Sequence, residues 1–536
     1  MRRLNRRGKV RVEGGAQVVL PLGFEEPAGG EAHARGGHRR RVFKDPDPNK
    51  LWVGEQRLKR YLADAGFGWV LALREFMRQR EWTEFEKAYP GSGRPAYHPC
   101  LMLSLVLFGV LEGRSSLREL EVAARTDVRV WWLTGGAMPD HSVIGRFLHR
   151  HRERITTAFF EDCTRALLKV IGSRSATIGV DGTTIQAASS RLRTIKQEAA
   201  REVAEQRAAE AAADPENECA AARAELAQEV VETAEKRSEA RRRKGRKNTN
   251  APVSPHEPEA GVNKMKNGQV APSYQASIAA NEDRMIIGQH VDGTSESAAV
   301  EPMVQQAQRV TGGQIETLLA DSNYNNATAH EVAHKHDLEL LSPEGSTRNG
   351  GRRKTRRFDK SEFSYDSDRD VYVCPSGREL VRKRRSKDWE DRRYTLYRSN
   401  DCRGCELREK CLAGKGNRSV ARYDHDDATD ALREKMKDPE VYARYKRRSV
   451  MPEPVFGELR GCQGYVRYRR RRLDGVRLEH ALHCAAHNLR RAIRIKLPWT
   501  RHASAGWLPT RAVAKRHDRE NRRYAAVSAR FRQFRT

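Results

Sequence analysis

A chain of 536 residues is too long for one compact core and argues for two or three domains. Its 101 Lys and Arg stand against 71 Asp and Glu, a net charge of +30 that favours a polyanionic partner, nucleic acid first. The best apolar run, Cys100 to Val110, is too short to span a bilayer, and no apolar segment follows the opening Met1-Arg2-Arg3-Leu4, so a cytoplasmic protein without membrane attachment is expected.

Residues 1–50 are rich in Arg and Gly without helical or strand periodicity, and read as a flexible basic leader. From 51 to 171 apolar residues recur at helical spacing: Leu73, Phe76 and Met77, then Leu101 to Leu111, then Leu117, Leu120 and Val122. An all-helical, DNA-binding domain is expected there. In Met138-Pro139-Asp140-His141-Ser142, Asp140 or Ser142 can cap a helix running through Ile144, Phe147 and Leu148. That helix carries Arg146 and Arg150, suited to a DNA groove; a solvated charged face is the plainer alternative.

Residues Ala176 to Ala188 read as a buried strand: β-formers Thr177, Ile178, Val180, Thr183, Thr184 and Ile185 surround a single carboxylate, Asp181. A buried Asp needs a cation; the alternative is a turn at Asp181-Gly182 joining two short strands. Residues 191–272 begin with an Ala, Glu, Arg and Lys-rich helical hairpin, its second helix expected to start at Asp214-Pro215 and to end in the basic run Arg241 to Lys247, before a polar linker. Strand signals return at Tyr274 to Ala279, Met285 to Val291 and Ile315 to Ala320, with a helix over 297–310; a helix over 327–336 and a strand over 338–341 follow. Together 172–190 and 273–343 make a mixed α/β sheet. Asp321 ends an apolar strand, where open α/β sheets place ligands, and can lie beside Asp181. Neighbouring carboxylates repel unless divalent cations fill the space, and Mg²⁺ suits oxygen ligands.

These pieces in this order resemble a family, the bacterial insertion-sequence transposases of the Asp-Asp-Glu type. The resemblance runs from about Gly93 to Arg491 and rests on Gly93-Arg94-Pro95, Pro139 to Ser142, Val180 to Thr183, Ala320 to Tyr324, then Tyr445, Arg448, Glu453, Phe456-Gly457, Arg460 and Ala486 to Arg490. It implies an RNase H-like core in which Asp181, Asp321 and Glu453 hold Mg²⁺ or Mn²⁺, with Tyr445, Arg448 and Arg460 matching a signature on the last core helix whose basic members hold DNA phosphates. It also implies metal-dependent cleavage and strand transfer on double-stranded DNA bearing terminal inverted repeats, by a homodimer or larger assembly at the bacterial nucleoid. Two positions depart: Asn323 stands where Gly is usual, and Arg460 replaces Lys.

On this reading 439–497 hold the catalytic and C-terminal core helices, and 498–536 a basic tail. Met451-Pro452-Glu453-Pro454 should end one helix near Val450 and begin another at Pro452 or Pro454, placing Glu453 where the helix dipole favours an ionised carboxylate. Glu458 is the rival third acid; Glu479 is more distant and expected to be structural.

Residues 344–438 form a basic, Cys-bearing insertion. Cys374, Cys402, Cys405 and Cys411 have the spacing of a structural Zn²⁺ site, the alternative being free thiols in a loop-rich insertion. Cys100, Cys163, Cys219, Cys462 and Cys484 read as buried small residues. His330-Glu331-Val332-Ala333-His334 satisfies the zincin pattern, which makes a zinc metalloprotease the third reading. The second is a DNA-binding protein or regulator of the same fold without catalysis.

Overall fold

The computed structural model describes residues 42–293, 297–313, 315–343, 357–388, 391–412, 414 and 416–496. Residues 1–41 of the leader expected over 1–50, and the tail expected over 498–536, lie outside the described residues. The described chain is mixed α/β, with helices and several sheets, and none of its helices is long and apolar enough to cross a membrane.

Its first element, Phe43–Lys44, pairs parallel with Ala96–Tyr97, so regular structure starts ahead of Leu51, inside the expected leader. Helices follow: Gly68–Arg78 (α1), Pro99–Leu111 (α2), Leu117–Thr126 (α3), Val128–Thr134 (α4), His141–Arg150 (α5) and Phe160–Ile171 (α6). Helix α2 is apolar on every side and is accordingly buried on every side. Ser116 and Glu119 close a capping box on α3, and the Asp140 side chain accepts from the Val143 amide at 2.8 Å to start α5.

The central sheet comprises Thr177–Gln186 (β1), Gly261–Lys264 (β2), Val270–Ala280 (β3), Ile286–Asp292 (β4), Thr317–Leu319 (β5) and Glu339–Leu341 (β6). Its order is β6-β5-β1-β3, with β4 and β2 both paired to β3. β1 is antiparallel to β3, Asp181 facing Ile278, and parallel to β5, Gly179 facing Leu319. Asp181-Gly182 therefore makes no turn; the strand runs through it for ten residues.

Between β1 and β2 stand Gln197–Ala213 (α7) and Glu218–Arg243 (α8). The second helix does not start at Asp214-Pro215. Asp214 closes α7, and Asn217 caps α8 by accepting from the Ala220 amide at 3.1 Å while donating to Asp214 at 3.1 Å. Val300–Thr311 (α9) and Ala327–Lys335 (α10) flank β5 in sequence.

Beyond 357 a second, antiparallel sheet appears: Ser364–Asp366 (β7), Val371–Val373 (β8), Glu379–Lys387 (β9), Arg393–Ser399 (β10) and Ser419–Tyr423 (β11). It has its own small core of Phe363, Tyr372, Leu380, Tyr397 and Val420. Asp426–Lys435 (α11), Pro439–Lys446 (α12), Pro452–Gln463 (α13) and Arg472–Lys496 (α14) complete the described chain.

One apolar cluster runs from Leu58 through Phe108, Phe160, Ile278, Leu318 and Phe456 to Ala492, so the N-terminal helices and the central sheet share a core. Helix α14 joins them. The Asn488 amide donates to Ile286 O at 2.7 Å and to Thr164 Oγ1 at 3.1 Å, its oxygen accepts from the Ile286 amide at 2.8 Å, and Arg490 donates to Leu111 O. Such buried polar groups are tolerated because they are paired.

Candidate active site

Three elements bring the predicted acids together. Asp181 lies in the middle of β1. The β1–β5 register, extended two residues beyond Gly179 and Leu319, sets Asp321 level with it. Glu453 enters from α13, whose first residue is Pro452; a short 3-10 turn over Arg447–Val450 separates that helix from α12. The start of α13 is pressed onto β1 at Gly179, where an added Cβ would stand 3.0 Å from Pro452 Cδ and 3.4 Å from Met451 Cβ. Gly179 and Asp181 share a strand face. The close approach that only glycine permits therefore also aims α13 at the carboxylate.

Arg448, 7% exposed, occupies the space so enclosed. Its Nε donates to Val180 O at 3.1 Å and its Nη2 to Asp181 Oδ1 at 2.9 Å, while Nη1 lies 3.6 Å from Glu453 Oε1. Burial pushes the Asp181 carboxyl pKa upward, Arg448 and the Gly182 N–H pull it back, and the nearby Asp321 and Glu453 carboxylates add to the rise. Tyr445 faces the same group: burial raises its phenol pKa, Arg448 opposes, and Asp321 and Glu453 reinforce the rise. Arg460 donates to Thr183 Oγ1, one step further along the same face of β1, and its guanidinium lies 5.7 Å from the Phe456 ring centroid.

Asp321 starts a 3-10 turn over Ser322–Tyr324. Its carboxylate accepts from the Asn323 amide at 2.9 Å, and Ser342 Oγ donates to its carbonyl at 2.8 Å. Asn323 is not among the residues of positive φ, so this turn has no need of the Gly usual in the family. Glu458 pairs with Arg494 at 3.4 Å and with His487 at 3.7 Å, and buried Glu479 accepts from the Arg469 and Arg470 amides; both are occupied in packing α13, α14 and the segment between them.

The carboxylates of Asp181, Asp321 and Glu453 offer the hard oxygen donors that Mg²⁺ or Mn²⁺ takes. Arg448 stands between two of them, and among the described residues no group of three or more His, Cys, Asp or Glu is spaced to hold an ion.

Elsewhere, Arg146 and Arg150 are exposed on α5, the latter with its guanidinium 4.7 Å from the Tyr89 ring centroid. His330 lies 2.9 Å from Asn325 Oδ1, and burial lowers its pKa, whereas His334 and Glu331 are exposed. Cys374, Cys402, Cys405 and Cys411 line one small cavity. Cys374 Sγ accepts from the Arg378 amide at 3.3 Å and Cys402 Sγ from the Arg418 amide at 3.4 Å, with Ser376 Oγ 3.1 Å from Cys374 Sγ and 3.6 Å from Cys405 Sγ. Of the scattered cysteines, Cys163 and Cys484 are buried and Cys100 and Cys462 partly so, but Cys219 is exposed: it sits on the polar hairpin helix α8, which has little core to enter.

Gly179 and the Thr183 hydroxyl carry no role in the sequence reading. Their signal was the two-residue spacing from Asp181, which puts all three on one face.

Two family profiles match the chain. One, described as Transposase DDE domain, covers residues 373–493; the other, described as Transposase domain (DUF772), covers 71–150. No curated protein matches it. Tyr445, Arg448, Glu453, Arg460 and the four clustered cysteines fall within the first match and Arg146 and Arg150 within the second, while Asp181 and Asp321 fall in neither.

Proposed function

We propose that the chain, which is an insertion-sequence DDE transposase, carries out metal-dependent DNA cleavage and strand transfer at Asp181, Asp321 and Glu453. The observation that carries this reading is the convergence of those three acids, from β1, the end of β5 and the start of α13, around Arg448 and Tyr445. The strand order supports an RNase H-like core: β1, β3 and β4 are successively antiparallel, and β5 and β6 lie parallel on the other side of β1.

Asp181, Asp321 and Glu453 would hold the divalent ions, which supply charge neutralisation at the scissile phosphate and an activated water or 3′-hydroxyl. The protein's part is placement. Asp181 is fixed within β1 and Asp321 just past the end of the neighbouring β5, while the Glu453 side chain is 55% exposed and open to substrate. Arg448 holds Asp181 and Glu453 in register through its hydrogen bonds to Asp181 and Val180 O and its 3.6 Å ion pair with Glu453. Arg460, leaning on Phe456 and Thr183, presents a fork-shaped donor for a phosphate. Tyr445, on α12, packs against the cluster of Leu319, Leu341 and Met451 beside the acids.

The partner is double-stranded DNA, taken up by a homodimer or larger synaptic assembly. Residues 51–171, with Arg146 and Arg150 exposed on α5, contribute the N-terminal DNA-binding part. Within the insertion over 344–438, Cys374, Cys402, Cys405 and Cys411 are proposed as a structural zinc site. Main-chain N–H bonds to two of the sulfurs support it, as do left-handed glycines at Gly377 and Gly404 that shape the turns around them. Elemental analysis of chelator-free protein should find about one zinc per chain, lost in Cys402→Ser; its absence removes the zinc site and leaves the nuclease untouched.

The test of the main proposal is nicking of a duplex carrying the element's ends. Wild type should nick it with Mg²⁺ and lose the activity with EDTA, and folded, DNA-binding Asp181→Asn should be inactive. Equal binding by both proteins with no nicking by either would indicate the non-catalytic DNA-binding reading.

A further inference from the structure

Past Thr183, β1 leads away from the acids toward Gln186, and the chain that meets it there is basic. Arg467 bridges to Gln186 in parallel register, and its guanidinium donates to Ala187 O at 3.1 Å and to Ala188 O at 2.6 Å, leaving it fixed and exposed beside the strand's continuation. That continuation carries Arg191 and Arg193 in a 3-10 turn, both exposed. The segment after α13 reaches the same place, since Arg472, next to Arg471, pairs with Glu229 of α8 at 2.7 Å and the Leu473 amide donates to Glu259 at 2.7 Å; beyond the effect of burial, Arg471 and Arg193 also both lower the pKa of His256. The Ile195–Val253 bridge then anchors this patch to the base of the α7–α8 hairpin, where Arg241 donates to Asn250 O at 3.2 Å.

Several other surface cations are matched by carboxylate, as in Arg125 with Glu121, Arg201 with Glu235, Arg309 with Glu161 and Arg444 with Glu339. Arg191, Arg193, Arg467 and Arg471 form no ion pair with a described residue. Such a row of like charges is solvated in the free protein and offers a polyanion several contacts at once. The dimensions suit one. The stretch from Asp181 to Gln186 is about 17 Å long at strand rise, and each strand of a duplex presents a phosphate about every 3.4 Å along its axis.

We infer that DNA held at the acids runs along the C-terminal half of β1 and over the base of the helical hairpin, its phosphates meeting Arg460, Arg467, Arg191, Arg193 and Arg471. The hairpin is then a DNA-handling element, its base a wall of the substrate channel. This rests on the transposase reading only in taking DNA as the polyanion.

The experiment uses the full chain and a fluorescent duplex of arbitrary sequence, with Kd measured by anisotropy across a KCl series. For Arg191→Gln/Arg193→Gln/Arg471→Gln, the slope of log K against log salt should fall by about 2 to 3, at roughly 0.9 for each phosphate that is no longer neutralised. The melting temperature should not change, since none of the three is in an ion pair. Arg384→Gln/Arg385→Gln/Arg398→Gln, an equal charge removal from exposed positions on the second sheet, should leave the slope as in wild type. Wild-type slope in the first variant, or a reduced slope found only in the second, overturns the channel and leaves the acid site standing. A reduced slope as expected, in a chain whose wild type never nicks DNA, keeps the channel and sinks the catalytic proposal instead.

Discussion

The central sheet and strand β9 of the second sheet treat charge in opposite ways. In the central sheet, β3 buries most of its side chains and β1 leaves none exposed, and the single carboxylate within β1 is met by a buried guanidinium, strand neighbours and a helix start. In the second sheet, β9 carries Arg382, Lys383, Arg384, Arg385 and Lys387 in nearly unbroken succession, and all five are exposed over a core of only five buried residues. A charge in the first sheet needs a structural or chemical answer, because desolvation is expensive there. A charge on β9 needs only water or a surface partner, whereas buried Arg422 on β11 is answered by Tyr372, Asp427 and Asp430. The contrast separates positions where a substitution should report on function from those where it should report on nothing.

Acidification should strike the central sheet hardest. His480 and His483 on α14 are fully enclosed, and burial holds their pKa values near about 4 and about 3. Each is neutral when folded and takes up a proton near pH 6.5 when unfolded, so the unfolded chain binds more protons throughout that interval. Stability present above pH 6.5 is therefore lost as the pH falls toward 4. The melting temperature should drop over that range, and His483→Gln should flatten the drop; an unchanged profile would mean these histidines are not buried neutral. Next in size, Ile278→Ala, which empties a buried site opposite Asp181, should cost about 2–5 kcal/mol and lower the main unfolding transition. Leu380→Ala should instead speed amide exchange in β9 and β10 while leaving β1 protected; equal loosening of both sheets would break the contrast.

Gly179→Ala should cost about 1–3 kcal/mol, because its methyl meets Pro452 at 3.0 Å. It should also slow DNA nicking more than DNA binding, since the shift displaces Glu453. The smallest effect belongs to Arg384→Gln on the second sheet, within about 0.5 kcal/mol of wild type by chemical denaturation. A larger loss there would show that the cations of β9 do structural work.

What the sequence could convey follows the same divide. β1 and the strand before Asp321 were readable because burial forces runs of β-formers, and the break at Pro452 because proline constrains its own neighbourhood. The Asp140 cap was equally local. The second sheet was not readable, since β9 breaks apolar alternation with its cations, and a solvated strand needs no alternation. Arg448 illustrates the deeper limit. As a cation in a basic segment it reads as a phosphate ligand, and only its bond to Val180 O, from a strand far away in sequence, reveals that it lies inside the protein among the acids. The start of α8 was misplaced by three residues because Asp214-Pro215 and Asn217 both offer capping chemistry, and the choice fell to Asn217 through its bond to the Ala220 amide.

The central claim is that Glu453, and not its neighbour Glu458, completes the acid site. The direct measurement is Mg²⁺-dependent cleavage of an end-bearing duplex by Glu453→Gln and Glu458→Gln, each first checked for folding and DNA affinity. Glu453→Gln should be inactive while still binding DNA. Glu458→Gln should keep its activity and lose only the stability supplied by its contacts with Arg494 and His487. Cleavage retained by Glu453→Gln, with Glu458→Gln inactive, would contradict the assignment and move the third acid one turn and more along α13.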